Sequence, residues 1–123
     1  MADFAELPPE RRRILEQCGT EAPFSSPLLE EHRSGMFVCG NCGNPLFGSD
    51  TKFESGSGWP SFHDVIEKGA VVSRTDTSHG MTRTEVTCAK CGGHLGHVFN
   101  DGPKPTGLRY CINGLALDFN PED

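Results

Sequence analysis

Four of the six cysteines stand in two matched pairs whose spacing is typical of a metal site. Cys39-Gly-Asn-Cys42-Gly and Cys88-Ala-Lys-Cys91-Gly are both Cys-x-x-Cys-Gly sequences. Four thiolates satisfy the tetrahedral coordination of zinc, and a two-residue spacer followed by glycine lets the backbone turn tightly around the ion. Disulfides and redox-active Cys-x-x-Cys pairs are the alternatives, but neither requires two matched copies. Because four cysteines leave no open position for a substrate, we expect a structural Zn²⁺ that joins two distant hairpins.

A fifth cysteine, Cys111, lies in a segment that alternates as a β-strand does. Within residues 108–113 the apolar side chains fall on one face, and Arg109, Cys111 and Asn113 fall on the other. A thiol has an ordinary pKa of about 8.5 and ionises more easily beside a guanidinium, so Cys111 is a candidate nucleophile. A buried cysteine that only packs is the alternative, and the strand pattern alone does not separate the two.

The segment His94-Leu95-Gly96-His97-Val98-Phe99 adds candidate acids or bases. Residues three apart point to opposite sides of a regular strand, so both histidines face one site only if Gly96 permits a bulge or a turn. A single histidine is usually structural, but two histidines close in sequence to a candidate thiolate favour proton transfer by at least one. They are not needed as zinc ligands, since the four cysteines complete that shell.

The single tryptophan, Trp59, follows the turn-prone sequence Ser55-Gly56-Ser57-Gly58. We expect Trp59 to form one wall of a small pocket, and a loop tryptophan folded back on the core is the alternative. Asp101, in Asp101-Gly102-Pro103, indicates by itself only a turn.

The elements that position these residues are short. Pro8-Pro9, Glu10 and Gly19 are start and stop signals that predict a helix from about Pro9 to Cys18, with Cys18 at the end of its apolar stripe. From Gly35 onward, short strands divided by turn residues favour antiparallel sheets. The predicted strands are Met36–Cys39, Ala70–Arg74, Arg83–Thr87, His97–Phe99, Leu108–Asn113 and Ala116–Phe119, with a short helix over Phe62–Lys68.

Length and composition limit the remaining possibilities. The 123 residues are room for one domain, spanning 1–123, and glycine and proline make up about a fifth of the chain, which favours a loop-rich β protein. Seventeen acidic and eleven basic residues give a net charge of −6, which argues against nucleic-acid binding. No stretch is apolar enough for a membrane span, and residues 1–13 lack the apolar core of a secretory signal, so we expect a cytoplasmic protein.

Three further motifs, Thr20-Glu21-Ala22-Pro23-Phe24, Lys52-Phe53 and Gly58-Trp59-Pro60-Ser61-Phe62, accompany those described above. Together, and in their order along residues 8–119, the motifs resemble those of the methionine sulfoxide reductase B family. The resemblance implies a mainly β fold of two antiparallel sheets with a short N-terminal helix and a zinc site distant from the active site. It also implies thiol-dependent reduction of methionine-R-sulfoxide, free or in oxidised proteins and peptides, to methionine. It rests on the two Cys-x-x-Cys pairs, Thr20-Glu21-Ala22-Pro23-Phe24, Lys52-Phe53, Gly58-Trp59-Pro60-Ser61-Phe62, His94-Leu95-Gly96-His97-Val98-Phe99 and Arg109-Tyr110-Cys111-Ile112-Asn113.

The resemblance also assigns roles to individual residues. It makes Cys111 the nucleophile, which becomes a sulfenic acid, and it makes His94, His97 and Asn113 the groups that hold the sulfoxide oxygen or its water. A sulfoxide sulfur is a poor electrophile until its oxygen gains a proton, and a positioned acid contributes about 10²–10⁴ in rate. The resemblance further implies that Asp101 and Arg109 support these groups and that Trp59 and Phe99 bind the substrate.

One position departs from the pattern of the family. Many members carry a second, resolving cysteine where this chain has Ser57, and a hydroxyl cannot form that disulfide. Either Cys18 resolves the sulfenic acid of Cys111 or an external thiol does so. The expected reductant is a thioredoxin-like protein, and the expected oligomeric state is a monomer. A non-enzymatic zinc-containing β module that binds a ligand or protein is the alternative, but binding needs no nucleophile flanked by histidines. The net charge also contradicts a zinc-ribbon module for nucleic acid.

Overall fold

The computed structural model describes residues 7–16, 22, 24, 26–31, 33–53, 58–67, 69–77, 82–104 and 106–121. Within these residues the chain forms one α-helix, nine short strands and several single turns of 3₁₀-helix. The helix is α1 (Pro9–Leu15), and the strands are β1 (Gly35–Cys39), β2 (Pro45–Gly48), β3 (Lys52–Phe53), β4 (Ser61–Phe62), β5 (Val71–Asp76), β6 (Arg83–Cys88), β7 (His94–Phe99), β8 (Arg109–Ile112) and β9 (Leu117–Pro121).

Helix α1 begins at Pro9, as the sequence predicts, and ends at Leu15, with Glu16 as its C-cap. Proline suits the first helical position because the amide hydrogen that it lacks has no partner within the helix there. The helix buries Ile14 and Leu15 in the core, while the Arg11 guanidinium lies 3.0 Å from Asp118 of β9. The rest of the predicted helix, residues 17 and 18, lies outside the described residues. In the described part of the chain, no helix is long and apolar enough to cross a membrane.

The strands form two antiparallel sheets, which confirms the predicted fold class. The smaller sheet has the order β2-β1-β9, and the larger has the order β3-β4-β8-β7-β6-β5. Three fully buried phenylalanines join them: the rings of Phe47 (β2) and Phe62 (β4) stack at 4.4 Å, and Phe37 (β1) meets Phe62 edge-on at 5.0 Å. The core therefore lies between the sheets, and the other face of the larger sheet is left for a site.

The predicted helix over Phe62–Lys68 is wrong. Phe62 belongs to β4, where it pairs with Tyr110 of β8, and an irregular segment with bends follows it over residues 63–67. Burial of an aromatic side chain and pairing with a central strand outweigh a weak local preference for helix. The six predicted strands are present with ends that differ by at most three residues, and the largest shift is in β7, which begins at His94.

Candidate active site and metal centre

Two of the catalytic candidates, His97 and Cys111, lie in one row of paired residues that crosses the larger sheet. Side chains directly opposite one another on antiparallel strands project from the same face and contact each other. The row brings His97 of β7 directly opposite Cys111 of β8, with an acidic residue on one side and a hydroxyl on the other. In order from β5 to β4, the paired residues are Arg74, Glu85, His97, Cys111 and Ser61.

Strand β8 alternates as the sequence predicts. Tyr110 and Ile112 are buried in the core between the sheets, whereas Arg109 and Cys111 are partly exposed on the opposite face. Asn113 follows the strand, is buried, and donates a hydrogen bond from Nδ2 to the carbonyl of Leu95 at 3.0 Å. The thiol is therefore presented to one side of the sheet by a strand whose other side is anchored in the core.

The bulge that the sequence requires at Gly96 is present in β7. Strand β6 pairs Val86 with Gly96 and the next residue, Thr87, with His94, so Leu95 has no opposite residue. This extra residue turns His94 and His97 to the same side, and their rings meet edge-on at 5.6 Å. The two histidines thus lie on the same face of β7, and the bulge is the reason.

Cys111 opens into a cavity of about 280 Å³. The two histidines differ in their access to this cavity. His97 forms part of its wall, whereas His94 is only 3% exposed and does not. Trp59 forms part of the wall, as predicted, and is not folded into the core. The predicted residues in the lining are Trp59, His97, Phe99, Arg109, Cys111 and Asn113, and Arg83 and Gly96 complete it.

The Arg109 guanidinium is the cation beside Cys111. It donates hydrogen bonds to both carboxylate oxygens of Asp101, at 2.9 and 3.2 Å, and lies over the Phe99 ring at 4.5 Å. The bond to Asp101 raises the pKa of Arg109 above its ordinary value, and the neighbouring Cys111 adds to the shift. Asp101 is exposed and outside the cavity, and it meets the cavity only through its ion pair with Arg109.

Each histidine is held by a carboxylate that the sequence analysis did not identify. Nε2 of His97 lies 2.9 Å from Oδ2 of Asp76, and Nδ1 of His94 lies 2.8 Å from Oε2 of Glu85. The other carboxylate oxygen of Glu85, Oε1, accepts a hydrogen bond from Arg74. Burial lowers the pKa of His94, with Glu85 opposing this shift. Burial alone would raise the pKa of Glu85, but the bonds from Arg74 and His94 outweigh it and lower the pKa. The sequence feature that could have pointed to these carboxylates is the alternation of charged residues along β5 and β6. It places Arg74 and Asp76 on one face of β5, and Arg83 and Glu85 on one face of β6.

The four paired cysteines converge at the ends of two hairpins, β1–β2 and β6–β7. Their sulfur atoms all lie within 4.8 Å of one another, and Sγ of Cys39 is 3.6 Å from Sγ of Cys91. Four thiolates at about 2.3 Å from a tetrahedral zinc lie about 3.8 Å apart, whereas a disulfide needs about 2.05 Å. The donor set therefore fits one metal ion, and none of the four lines the cavity of Cys111.

The thiols at this centre affect one another's ionisation. The hydrogen bond from Cys39 lowers the pKa of Cys88, and the same contact, together with burial, raises the pKa of Cys39. Thiols this close cannot all become negative without a cation to neutralise them. The candidate resolving Cys18, and Ser57, lie outside the described residues.

Comparisons with known proteins agree with this geometry. A family model described as the SelR domain matches residues 7–121. A protein from Leptospira interrogans named peptide methionine sulfoxide reductase MsrB is 60% identical over 117 residues, which cover 95% of this chain and 89% of that protein. Proteins of the same name from Thiobacillus denitrificans and Methanosarcina barkeri are each 56% identical, over 97% and 95% of this chain and 90% and 82% of their own lengths. The chain therefore belongs to the methionine sulfoxide reductase B family, as its motifs indicate.

Proposed function

We propose that this protein reduces methionine-R-sulfoxide, free or in oxidised proteins and peptides, to methionine, with Cys111 as the nucleophile. The observation that carries the proposal is the cavity in which Cys111 lies with His97 paired directly opposite and with Trp59 and Phe99 in the wall. Its volume of about 280 Å³ accommodates a single side chain such as that of methionine sulfoxide. The aromatic wall suits the methyl group of the substrate, and the polar groups suit its oxygen.

In the proposed reaction, the Cys111 thiolate attacks the sulfoxide sulfur while His97 supplies a proton to the sulfoxide oxygen. The S–O bond breaks as oxygen passes to Cys111, so the thiol and the sulfoxide yield a sulfenic acid and methionine. Arg109, fixed by Asp101, stabilises the thiolate, and Asn113 orients the oxygen or its water. The likeness to the family assigns His94 to the same oxygen. His94 is buried, does not line the cavity and contacts the His97 ring edge-on at 5.6 Å, so we propose that it acts through His97.

Regeneration needs two further thiol groups, because the sulfenic acid must be reduced to the thiol with release of water. We propose that Cys18 condenses with the sulfenic acid to form a disulfide and that a thioredoxin-like dithiol then reduces it. An external thiol that attacks the sulfenic acid directly is the alternative route. We expect the enzyme to act as a monomer in the cytoplasm.

We further propose that the four-cysteine centre holds a structural Zn²⁺. Cys39 closes β1 of the smaller sheet and Cys88 closes β6 of the larger one, so an ion bound by both pairs joins the two sheets. With four sulfur ligands the metal keeps no position for substrate, and its contribution is to the stability of the fold.

The proposal is tested by mixing reduced protein, without any other reductant, with the separate R and S epimers of a methionine sulfoxide substrate. We expect about one equivalent of methionine per protein from the R epimer, none from the S epimer, and a Cys18–Cys111 disulfide in the mass map. Cys111→Ser is the matched control, because it is nearly isosteric and leaves the metal ligands in place. Binding of the sulfoxide without any methionine would favour the non-enzymatic module instead, and a trapped sulfenic acid without the disulfide would favour direct attack by an external thiol.

A further inference from the structure

We propose that Asp76 is a positioning residue for His97. Its carboxylate holds the ring hydrogen on Nε2, so that Nδ1 is the nitrogen available for proton transfer in the cavity. The inference rests on the proposed function, in which His97 delivers a proton to the substrate. Asp76 is neither in the cavity lining nor among the residues that the sequence motifs single out. It acts on the reaction only through the imidazole.

The contact between Asp76 and His97 crosses an intervening strand. Asp76 is the last residue of the edge strand β5, His97 lies in β7, and β6 runs between them. Nε2 and Oδ2 are nevertheless 2.9 Å apart, and the two side chains are only 13% and 20% exposed. A hydrogen bond to a charged group that is shielded from water is stronger and more directional than one on an open surface. The imidazole therefore has one preferred orientation.

The charge of Asp76 is stabilised by Arg83. The two residues are directly opposite in the β5–β6 register, and Nη2 of Arg83 lies 3.5 Å from the same Oδ2 that meets His97. An ionised carboxylate has no proton to donate, so the ring nitrogen that meets it must be the donor. This requirement places the hydrogen of the neutral His97 ring on Nε2 and the lone pair on Nδ1. In the proposed reaction Nδ1 takes the proton of the Cys111 thiol, which leaves the thiolate, and passes that proton to the sulfoxide oxygen, while Nε2 keeps its hydrogen toward Asp76.

The second histidine does not duplicate this arrangement. His94 meets Glu85 through its other nitrogen, Nδ1, and is too buried to line the cavity. Asp76 and Glu85 thus hold two adjacent rings by opposite nitrogens, and of these two rings His97 is the one that lines the cavity with Cys111. The charged and titratable groups around His97 on the strands packed against it are Asp76, Arg83, Glu85, His94, Arg109 and Cys111.

Replacing Asp76 by asparagine should disrupt this control with little change in volume. An amide can present its NH₂ to Nε2, which selects the tautomer with the hydrogen on Nδ1. In serine protease triads the equivalent exchange leaves the wrong tautomer and lowers kcat by about 10⁴, and general acids contribute about 10²–10⁴. We expect Asp76→Asn to lower kcat for the R-sulfoxide by about 100-fold and to change KM by less than about threefold, since Asp76 does not line the cavity.

The tautomer itself is measured by ring ¹⁵N NMR of the reduced protein, with the His97 signals assigned by their loss in His97→Gln. The wild type should carry its ring hydrogen on Nε2 at a pH where the ring is neutral, and Asp76→Asn should show it on Nδ1. Asp76→Glu, which keeps the charge, should keep the Nε2 tautomer and recover at least about a tenth of the wild-type kcat. Asp118→Asn is the control, because it removes a carboxylate from an arginine pair in the other sheet, away from the cavity.

Two results would overturn the proposal. One is a wild-type His97 that carries its hydrogen on Nδ1, a finding that needs no mutant to fold. The other is an Asp76→Asn variant with kcat within threefold of wild type, or with the loss confined to KM. If the wild type shows the Nε2 tautomer but reduces neither epimer, the proposed function fails while the role of Asp76 in holding His97 stands.

Discussion

Gly96 is the position at which a single added methyl group should separate β7 from β8, the strands that carry His97 and Cys111. A Cβ built on Gly96 would lie 2.1 Å from the carbonyl oxygen of Cys111 and 3.0 Å from the Cα of Ile112. Ordinary contacts begin at 3.4 Å, so β7 and β8 must move apart by about 1.3 Å in Gly96→Ala. Both atoms belong to backbone in the middle of a sheet, and no flexible side chain can move aside instead.

The expected cost follows from this displacement. Overpacking a buried position costs about 1–3 kcal/mol, and for a chain of this length about 2 kcal/mol corresponds to a fall in Tm of roughly 8 °C. The same movement displaces His97 from Cys111, because these two residues are the adjacent pair in the register. A misplacement of about 1 Å in an active site can cost roughly 100-fold in rate. Gly96→Ala should therefore lose stability and also lose activity in the molecules that remain folded.

The assay combines thermal unfolding with single-turnover reduction of the R-sulfoxide at a temperature well below the Tm of the variant. Gly69→Ala is the matched control, because a Cβ there meets nothing within 4 Å but the backbone has a positive φ of 89°. That strain costs about 1–2 kcal/mol without moving β7 or β8. The reasoning is refuted if Gly96→Ala keeps the wild-type Tm, or if its single-turnover rate is no lower than that of Gly69→Ala.

Three other predictions concern the loss of the bound metal, the stability of the fold at acid pH and the recycling of the oxidised protein by thioredoxin. Cys39→Ser should abolish binding of about one zinc per chain and lower the Tm by more than about 10 °C, as measured by metal analysis and calorimetry; a metal-free variant with unchanged Tm would contradict a structural ion. The pKa of His94 is lowered in the folded state, so the unfolded chain takes up a proton first as pH falls below about 6.5, and this uptake destabilises the folded protein. The pKa of Glu85 is also lowered in the folded state, so the same effect continues below about pH 4.5. The free energy of unfolding should therefore decrease toward acid pH, and His94→Asn should flatten the part of the curve between about pH 7.5 and 5.5; an equal slope in both proteins would exclude His94 as its source. Cys18→Ser should give a normal first turnover but slow recycling by thioredoxin at least about tenfold, and unchanged cycling would make the protein a one-cysteine enzyme.

The sequence was sufficient where chemistry depends on residue type and on short spacing. Two Cys-x-x-Cys-Gly pairs predicted a four-cysteine cluster that could hold a metal ion, and the structure brings the four sulfur atoms together, because a tight turn places the two cysteines of each pair side by side. The alternation around Cys111 was enough to predict which side of β8 enters the core, since a period of two allows only two faces. The need for a bulge at Gly96 followed in the same way from the three-residue offset of His94 and His97.

Only the tertiary structure decided which residues meet across strands. Asp76 reaches His97 over β6, and Glu85 reaches His94, because the register of β5, β6 and β7 puts these carboxylates beside the rings. Register depends on long-range pairing and burial, which no local pattern in one strand contains. Long-range pairing and burial also explain why Phe62 lies in a strand and not in the predicted helix. It pairs with β8 and buries its ring against Phe47 in the core between the two sheets. Residue types and spacing thus pointed to Cys111 as a candidate nucleophile and to the four cysteines as candidate metal ligands, whereas the carboxylates that contact the histidines were determined by how the strands pair.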